Sequence, residues 1–198
     1  MQKSRGRPRQ FDEDTVLLAA ENVFWRKGYD DTSLDDLATA MGMNRPSIYR
    51  AFGDKEALYL AVLNKYCGKM EAAFDQTMSA KKTLDKRLLD FLTAALKIYT
   101  EGDLPKGCMA MGTAITAATG HPEIRDLLLE VIHNLEEKLV RQFDVAIASG
   151  ELPAGKDALD CAVMTQALLH SLSLRARSGE PPVRLRKMIE SGIGMIAS

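Results

Sequence analysis

TSLDDLATAMGMNRPSIYRAFGDKEAL, residues 32–58, is the stretch that decides the fold. Thr32 is placed to cap a helix, with Asp35 three residues on as its capping-box partner. Leu34, Leu37, Ala38 and Met41 recur at helical spacing and give that helix one apolar face. Met41-Gly42-Met43 interrupts it, and Gly42 is free to take the positive φ that a tight turn needs. Asn44 caps a second helix, with Pro46 in its first turn, where a missing N–H does no harm. Ile48 and Phe52 face inward, which leaves Arg45, Ser47, Tyr49 and Arg50 outside. Gly53 ends this helix. Asp54 caps the next, with Lys55 and Glu56 in its first turn. Two short helices around a three-residue glycine turn make a helix-turn-helix, whose second helix can enter a DNA major groove.

Outward from this motif, the chain of 198 residues suits one such module and a larger helical body, and a hydrophobic content of 46% is enough for a proper core. The net charge of −1 supplies no global positive field, so DNA affinity must come from local clustering. Residues 1–10 provide it: Lys3, Arg5, Arg7 and Arg9 stand there without an acid. Three widely spaced cysteines without a CxxC argue against a disulfide framework or zinc knuckle and fit a reducing cytoplasm. The basic start is followed by Phe11 and then Asp12, Glu13 and Asp14, not by the apolar run of a secretory signal. No stretch approaches the roughly 18 apolar residues of a spanning helix, so neither membrane insertion nor membrane partnership is expected.

Periodicity predicts helices throughout: about 13–27 before the motif, then about 55–78, 84–100, 108–118, 123–148, 156–178 and 183–196. No βαβ pattern or internal repeat is present. The expected fold is all-α. A basic arm (1–10) and a helix-turn-helix domain (11–54) precede a larger helical ligand-binding and dimerisation domain (55–198). Arg5-Gly6-Arg7-Pro8-Arg9 resembles an AT-hook core, whose arginines enter a narrow A·T minor groove.

Gly28-Tyr29, Thr32-Ser33, Leu37-Ala38, Ile48-Tyr49 and Phe52-Gly53-Asp54-Lys55-Glu56-Ala57-Leu58 together resemble the DNA-binding motif of the TetR family of bacterial transcriptional regulators. The resemblance covers roughly the first third of the chain; the remainder is similar in length and helical pattern. It implies that the second motif helix contacts bases and phosphates. Residue by residue this falls on Asn44, Arg45, Ser47, Tyr49 and Arg50, with Lys55 in the place of the family's phosphate-contacting lysine. Arg45 is the best candidate for a base, because a guanidinium can pair with guanine O6 and N7. Thr32 and Ser33 stand at a helix N-terminus, where hydroxyls, free N–H groups and the helix dipole favour a phosphate. Pro46 stands where the family often has glycine or a small residue, so operator preference cannot be borrowed from relatives.

One head reads about half a site, so two are needed, one or more helical turns apart. The helices over 123–148 and 156–178 look apolar on more than one side, which suits a homodimer seam; the resemblance implies a four-helix bundle there. It also implies a ligand pocket in the body, for which Met70, Phe74, Leu92, Leu96, Tyr99, Met109, Met111, Ile115 and Met164 are the lining candidates. Methionine suits an adaptable apolar cavity, and a small apolar effector. Cys108, at a helix N-terminus, is a candidate sensor of electrophiles or oxidants. His121, His133 and His170 are scattered, and neither a metal site, a cofactor site nor a catalytic set is expected. The function expected is that of a cytoplasmic, non-enzymatic regulator: a repressor released from a palindromic operator by a small molecule. The alternative is a constitutive or activating DNA-binding regulator without a ligand.

Overall fold

The structure, a computed structural model, describes residues 12–102 and 106–197. Every regular element among them is helical. The order is α1 (Glu13–Lys27), α2 (Leu34–Met41), α3 (Arg45–Phe52), α4 (Lys55–Met78) and α5 (Leu84–Thr100). A π-helical segment (Ala110–Ala114) and a single turn, α6 (Ile115–Ala117), follow. Then come α7 (Pro122–Ala148), α8 (Ala158–Arg177) and α9 (Pro182–Ala197). The chain divides into two compact units between Val62 and Leu63, within α4.

The first unit is built on Ala20 and Phe24 of α1, Leu37 of α2, Ile48 of α3 and Leu58 and Tyr59 of α4, all fully buried. The Tyr59 ring meets Phe24 and Tyr29 edge-on, at centroid distances of 4.9 and 5.0 Å. Trp25 is buried as well. The chain capping α2 is shifted by one residue from the expected pairing. Ser33, not Thr32, is the N-cap, and Asp36, not Asp35, completes the capping box. Thr32 is instead buried, its hydroxyl donating to the Gly28 carbonyl. Gly42 closes α2 in the left-handed conformation, at φ 62°, as the turn requires.

In the second unit α5 packs on α8 and α9, and α7 packs on α8. Leu88, Leu92, Leu139, Phe143, Leu172, Leu185 and Ile189 bring all four helices into one core. Glu151, between α7 and α8, accepts from the Leu84 N–H and so caps α5 from a distant part of the chain. Arg87 ties α5 to the Met78 carbonyl (3.1 Å) and to Gln142 of α7 (2.7 Å).

The helix expected over 108–118 is replaced by the π segment and the short α6. Its preceding loop is docked on α8. Gly107 has φ +65°, and a Cβ there would stand 2.8 Å from the Ser173 carbonyl oxygen. A Cβ at Gly112 would fall 2.7 Å from Nη1 of Arg177. Two glycines thus let the segment lie against the last turns of α8, with Arg177 donating to the Lys106 carbonyl at 3.2 Å.

Candidate functional site

The outer surface of α3 follows from how the helix is pinned. Asn44 Oδ1 accepts the Ser47 N–H at 2.9 Å, which fixes the first turn. Ile48 is completely buried and anchors the inner face. Arg45 and Tyr49, one turn apart, therefore point outward together; their exposures are 54% and 50%. Arg50 and Asn44 are exposed beside them, and Ser47 is half-buried. Arg45 is held from α2: its Nε donates to Asp35 Oδ1 at 2.7 Å and its Nη2 to Oδ2. This pairing lowers the Asp35 carboxyl and raises the Arg45 guanidinium.

Other candidates are engaged within the unit. Ser33 is exposed, but its hydroxyl is shared with Asp36 in the capping box. Asp36 also takes the Lys27 ammonium at 2.6 Å, and these contacts hold it well below the usual carboxylate range. Lys55 Nζ donates to the carbonyls of Tyr29 (3.0 Å) and Thr32 (3.2 Å) and lies 4.2 Å from the centre of the Tyr29 ring. It bolts the start of α4 to the loop that precedes α2. Burial, and then Glu56, push the Tyr29 phenol up to about 12. Arg5, Arg7 and Arg9 of the basic arm lie outside the described residues.

The second unit contains a cavity of about 130 Å³. Four of the nine expected lining residues reach it: Met70, Phe74, Tyr99 and Met111. Leu92, Leu96 and Met109 are buried but do not line it. Ile115 and Met164 are surface residues, 48% and 57% exposed. The wall is less apolar than expected. Glu71, Lys138, Asn134, Gln166 and His170 all contribute, as do two thiols, Cys67 and Cys108. Lys138 of α7 bridges to α4 through Glu71 at 2.6 Å and Asp75 at 2.9 Å. Periodicity along α4 could have found Tyr66 and Cys67, since they lie one turn before Met70. The Lys138 bridge spans 67 residues of sequence and leaves no local signal.

Burial is the largest influence on the titration of Tyr66, Cys67, Tyr99 and His170 in this wall. It pushes Cys67 up to about 12, with Cys108 and Glu71 adding to the effect. The Tyr66 and Tyr99 phenols are raised by burial and then by the nearby Cys108 thiol. His170 is lowered by burial. The Cys108 N–H donates to Ser173 Oγ at 2.8 Å, which fixes the thiol's backbone to α8. Among the described residues, no group of three or more His, Cys, Asp and Glu is placed to hold a metal ion. None of the described helices is long and apolar enough to cross a membrane.

Comparison with known proteins assigns both units. The profile of the bacterial regulatory proteins of the tetR family matches residues 16–62, and that of the tetracyclin repressor-like C-terminal domain matches residues 85–191. The chain is 33% identical over 181 residues to the HTH-type transcriptional repressor ComR of Escherichia coli (strain K12), covering 90% of this chain and 86% of that protein. It is 30% identical over 132 residues to the HTH-type transcriptional repressor BdcR of the same strain, covering 66% of this chain and 65% of that one. Among solved structures, a cysteine mutant of the TetR family transcriptional regulator CifR, complexed with 26-bp double-strand operator DNA, superposes with a TM-score of 0.87 at 30% identity. That match covers 95% of this chain and 98% of the other. With an exposed α3 carried on a helix-turn-helix and a second, helical unit after it in the sequence, the chain belongs to the TetR family of DNA-binding transcriptional regulators.

Proposed function

We propose that the protein is a ligand-responsive repressor that binds a palindromic operator as a homodimer and leaves it when a small molecule fills the body. The observation that carries this is the composition of the cavity wall. Tyr66, Cys67, Met70, Glu71 and Phe74 all come from α4, the helix whose first residue, Lys55, holds the loop before α2. A ligand pressing on one end of α4 acts on the element that supports the reading motif. The cavity favours this reading over a constitutive regulator, which needs none. ComR and BdcR are both named as repressors, and CifR was solved on operator DNA.

Arg45, Tyr49, Arg50 and Asn44 form the contact surface for DNA, with Ser47 at its edge; Arg45 reads a base and the others position the head on phosphate and sugar. Ser33 and Lys55 act at the loop before α2, where a phosphate meets backbone N–H groups at the α2 N-terminus. The buried Thr32 hydroxyl supports that loop from inside. Release requires the ligand to bind the DNA-free form more tightly than the DNA-bound form, since a ligand without that preference shifts nothing. The effector has an apolar body, matched by Phe74, Phe91, Leu128 and Leu169, and a polar end facing Lys138 or Asn134.

Cys108 extends the proposal, because it lines the same cavity near the Tyr66 and Tyr99 phenols. An electrophile that enters is taken up there by addition to the sulfur. The test begins with a duplex selected by the protein from random DNA. Small apolar compounds that raise the melting temperature should weaken binding to that duplex by about tenfold or more, a coupling of about 1.4 kcal/mol. N-ethylmaleimide should do the same in a C67S/C161S background and not when C108S is added. Compounds that fill the cavity yet leave DNA affinity unchanged would refute ligand control, and silent alkylation of Cys108 would remove its role.

A further inference from the structure

The Asp35–Arg45 pair is placed oddly for a stabilising contact. It joins the two helices of the motif on their outer side, with side chains 70% and 54% exposed. Exposed ion pairs contribute little to folding. A carboxylate on the surface that approaches DNA also opposes phosphate. Something other than stability must account for an acid at this position.

The geometry suggests what that is. A guanidinium carries five N–H donors in a rigid planar fork. Asp35 occupies the side formed by Nε and Nη2, through the 2.7 Å contact to Oδ1 and the second contact to Oδ2. The opposite end, Nη1 with the remaining hydrogen of Nη2, stays available as a second donor pair. That pair matches the O6 and N7 acceptors of guanine in the major groove. Asp35 sits in the first turn of α2 and Arg45 opens α3, so the direction of the free end is set by two helices whose mutual packing is fixed by the turn at Gly42.

We propose that Asp35 is a positioning residue for operator reading: it holds the Arg45 guanidinium from the side, so that its free end is presented to a guanine of the operator. This rests on Arg45 being the base-reading residue. Two consequences follow from the chemistry. A held guanidinium binds guanine without first having to be ordered. It is also kept from swinging to a nearby phosphate when the base is wrong, so the carboxylate raises selectivity by weakening non-cognate binding.

The experiment compares wild type, D35A, D35N, R45A and D35A/R45A on two duplexes. One is the sequence selected from random DNA by the wild-type protein; the other has each G·C pair of its half-sites replaced in turn by A·T. The ratio of the two affinities does not depend on the active fraction of a preparation, so a partly unfolded variant still reports. At the guanine read by Arg45, R45A should reduce the ratio by on the order of tenfold. D35A and D35N should reduce it comparably, chiefly by tighter binding to the substituted duplex, with a steeper salt dependence as Arg45 turns to phosphate. The double variant should be no worse than R45A alone, because the two residues act as one unit. If R45A lowers the ratio while D35A and D35N keep the wild-type value, positioning by Asp35 is wrong and base reading by Arg45 stands. If R45A itself keeps the wild-type ratio at every pair, both are wrong.

Discussion

Asn44 shows how closely folding and reading are joined in single residues of the motif. Its side-chain oxygen closes the first turn of α3 at 2.9 Å from the Ser47 nitrogen, while the residue itself remains exposed beside Arg45. Asn44→Ala removes the cap without touching the buried face. It should cost about 1 kcal/mol of stability, read as a lower urea midpoint at unchanged slope; an unchanged midpoint would mean that the cap is idle. The neighbouring Thr32-Ser33 pair illustrates what local sequence leaves undecided. Both residues carry a hydroxyl, and both have an aspartate three positions on, so each fits a capping box. The choice is made by the turn before them, where the Thr32 hydroxyl is used by the Gly28 carbonyl and Ser33 is left to cap. Arg45, Tyr49 and Arg50 were readable as outward residues because Ile48 must face in. Asp35 was not readable as the partner of Arg45, since their contact depends on the angle between two helices.

At the scale of elements, helices bounded by strong local signals can be placed from sequence. α1, α4 and α5 have the predicted limits because glycine, an acidic cap or a polar break stands at their ends. The π segment has no such signal. It lies where Gly107 and Gly112 admit the side of α8, a long-range condition. The cavity is hard to foresee for the same reason: α4, α5, α7 and α8 each contribute a few residues, and Met164 has the right chemistry on the wrong face. That outer face of α8 matters in its own right. Leu159, Val163 and Leu174 are 50%, 45% and 67% exposed and follow one another at helical spacing. Covered by a second copy, they would account for the excess of apolar residues on this helix. Val163→Glu with Leu174→Glu should leave the helical content intact and halve the mass found by sedimentation. A double variant that keeps the wild-type mass would place the seam elsewhere.

For the whole molecule, the overall charge of −1 means that binding depends on geometry more than on a general attraction to DNA. Its positive groups at the motif are few, and one of them, Arg45, is already partnered by an acid. A single reading head with so little charge is a weak and poorly selective binder; two heads with a fixed separation multiply the match. In the proposed dimer the same logic would give control, because a change in the body that alters the separation of the heads would remove the advantage of the pair without altering either one. The most direct test is selection of bound sequences from a random duplex library by the full-length protein. The result predicted is an inverted repeat, with half-sites separated by about one helical turn or a multiple of it, and with a guanine in each half-site that is no longer selected by the R45A variant. Enrichment of a single unrepeated motif, or of no motif at all, would contradict paired reading of an operator.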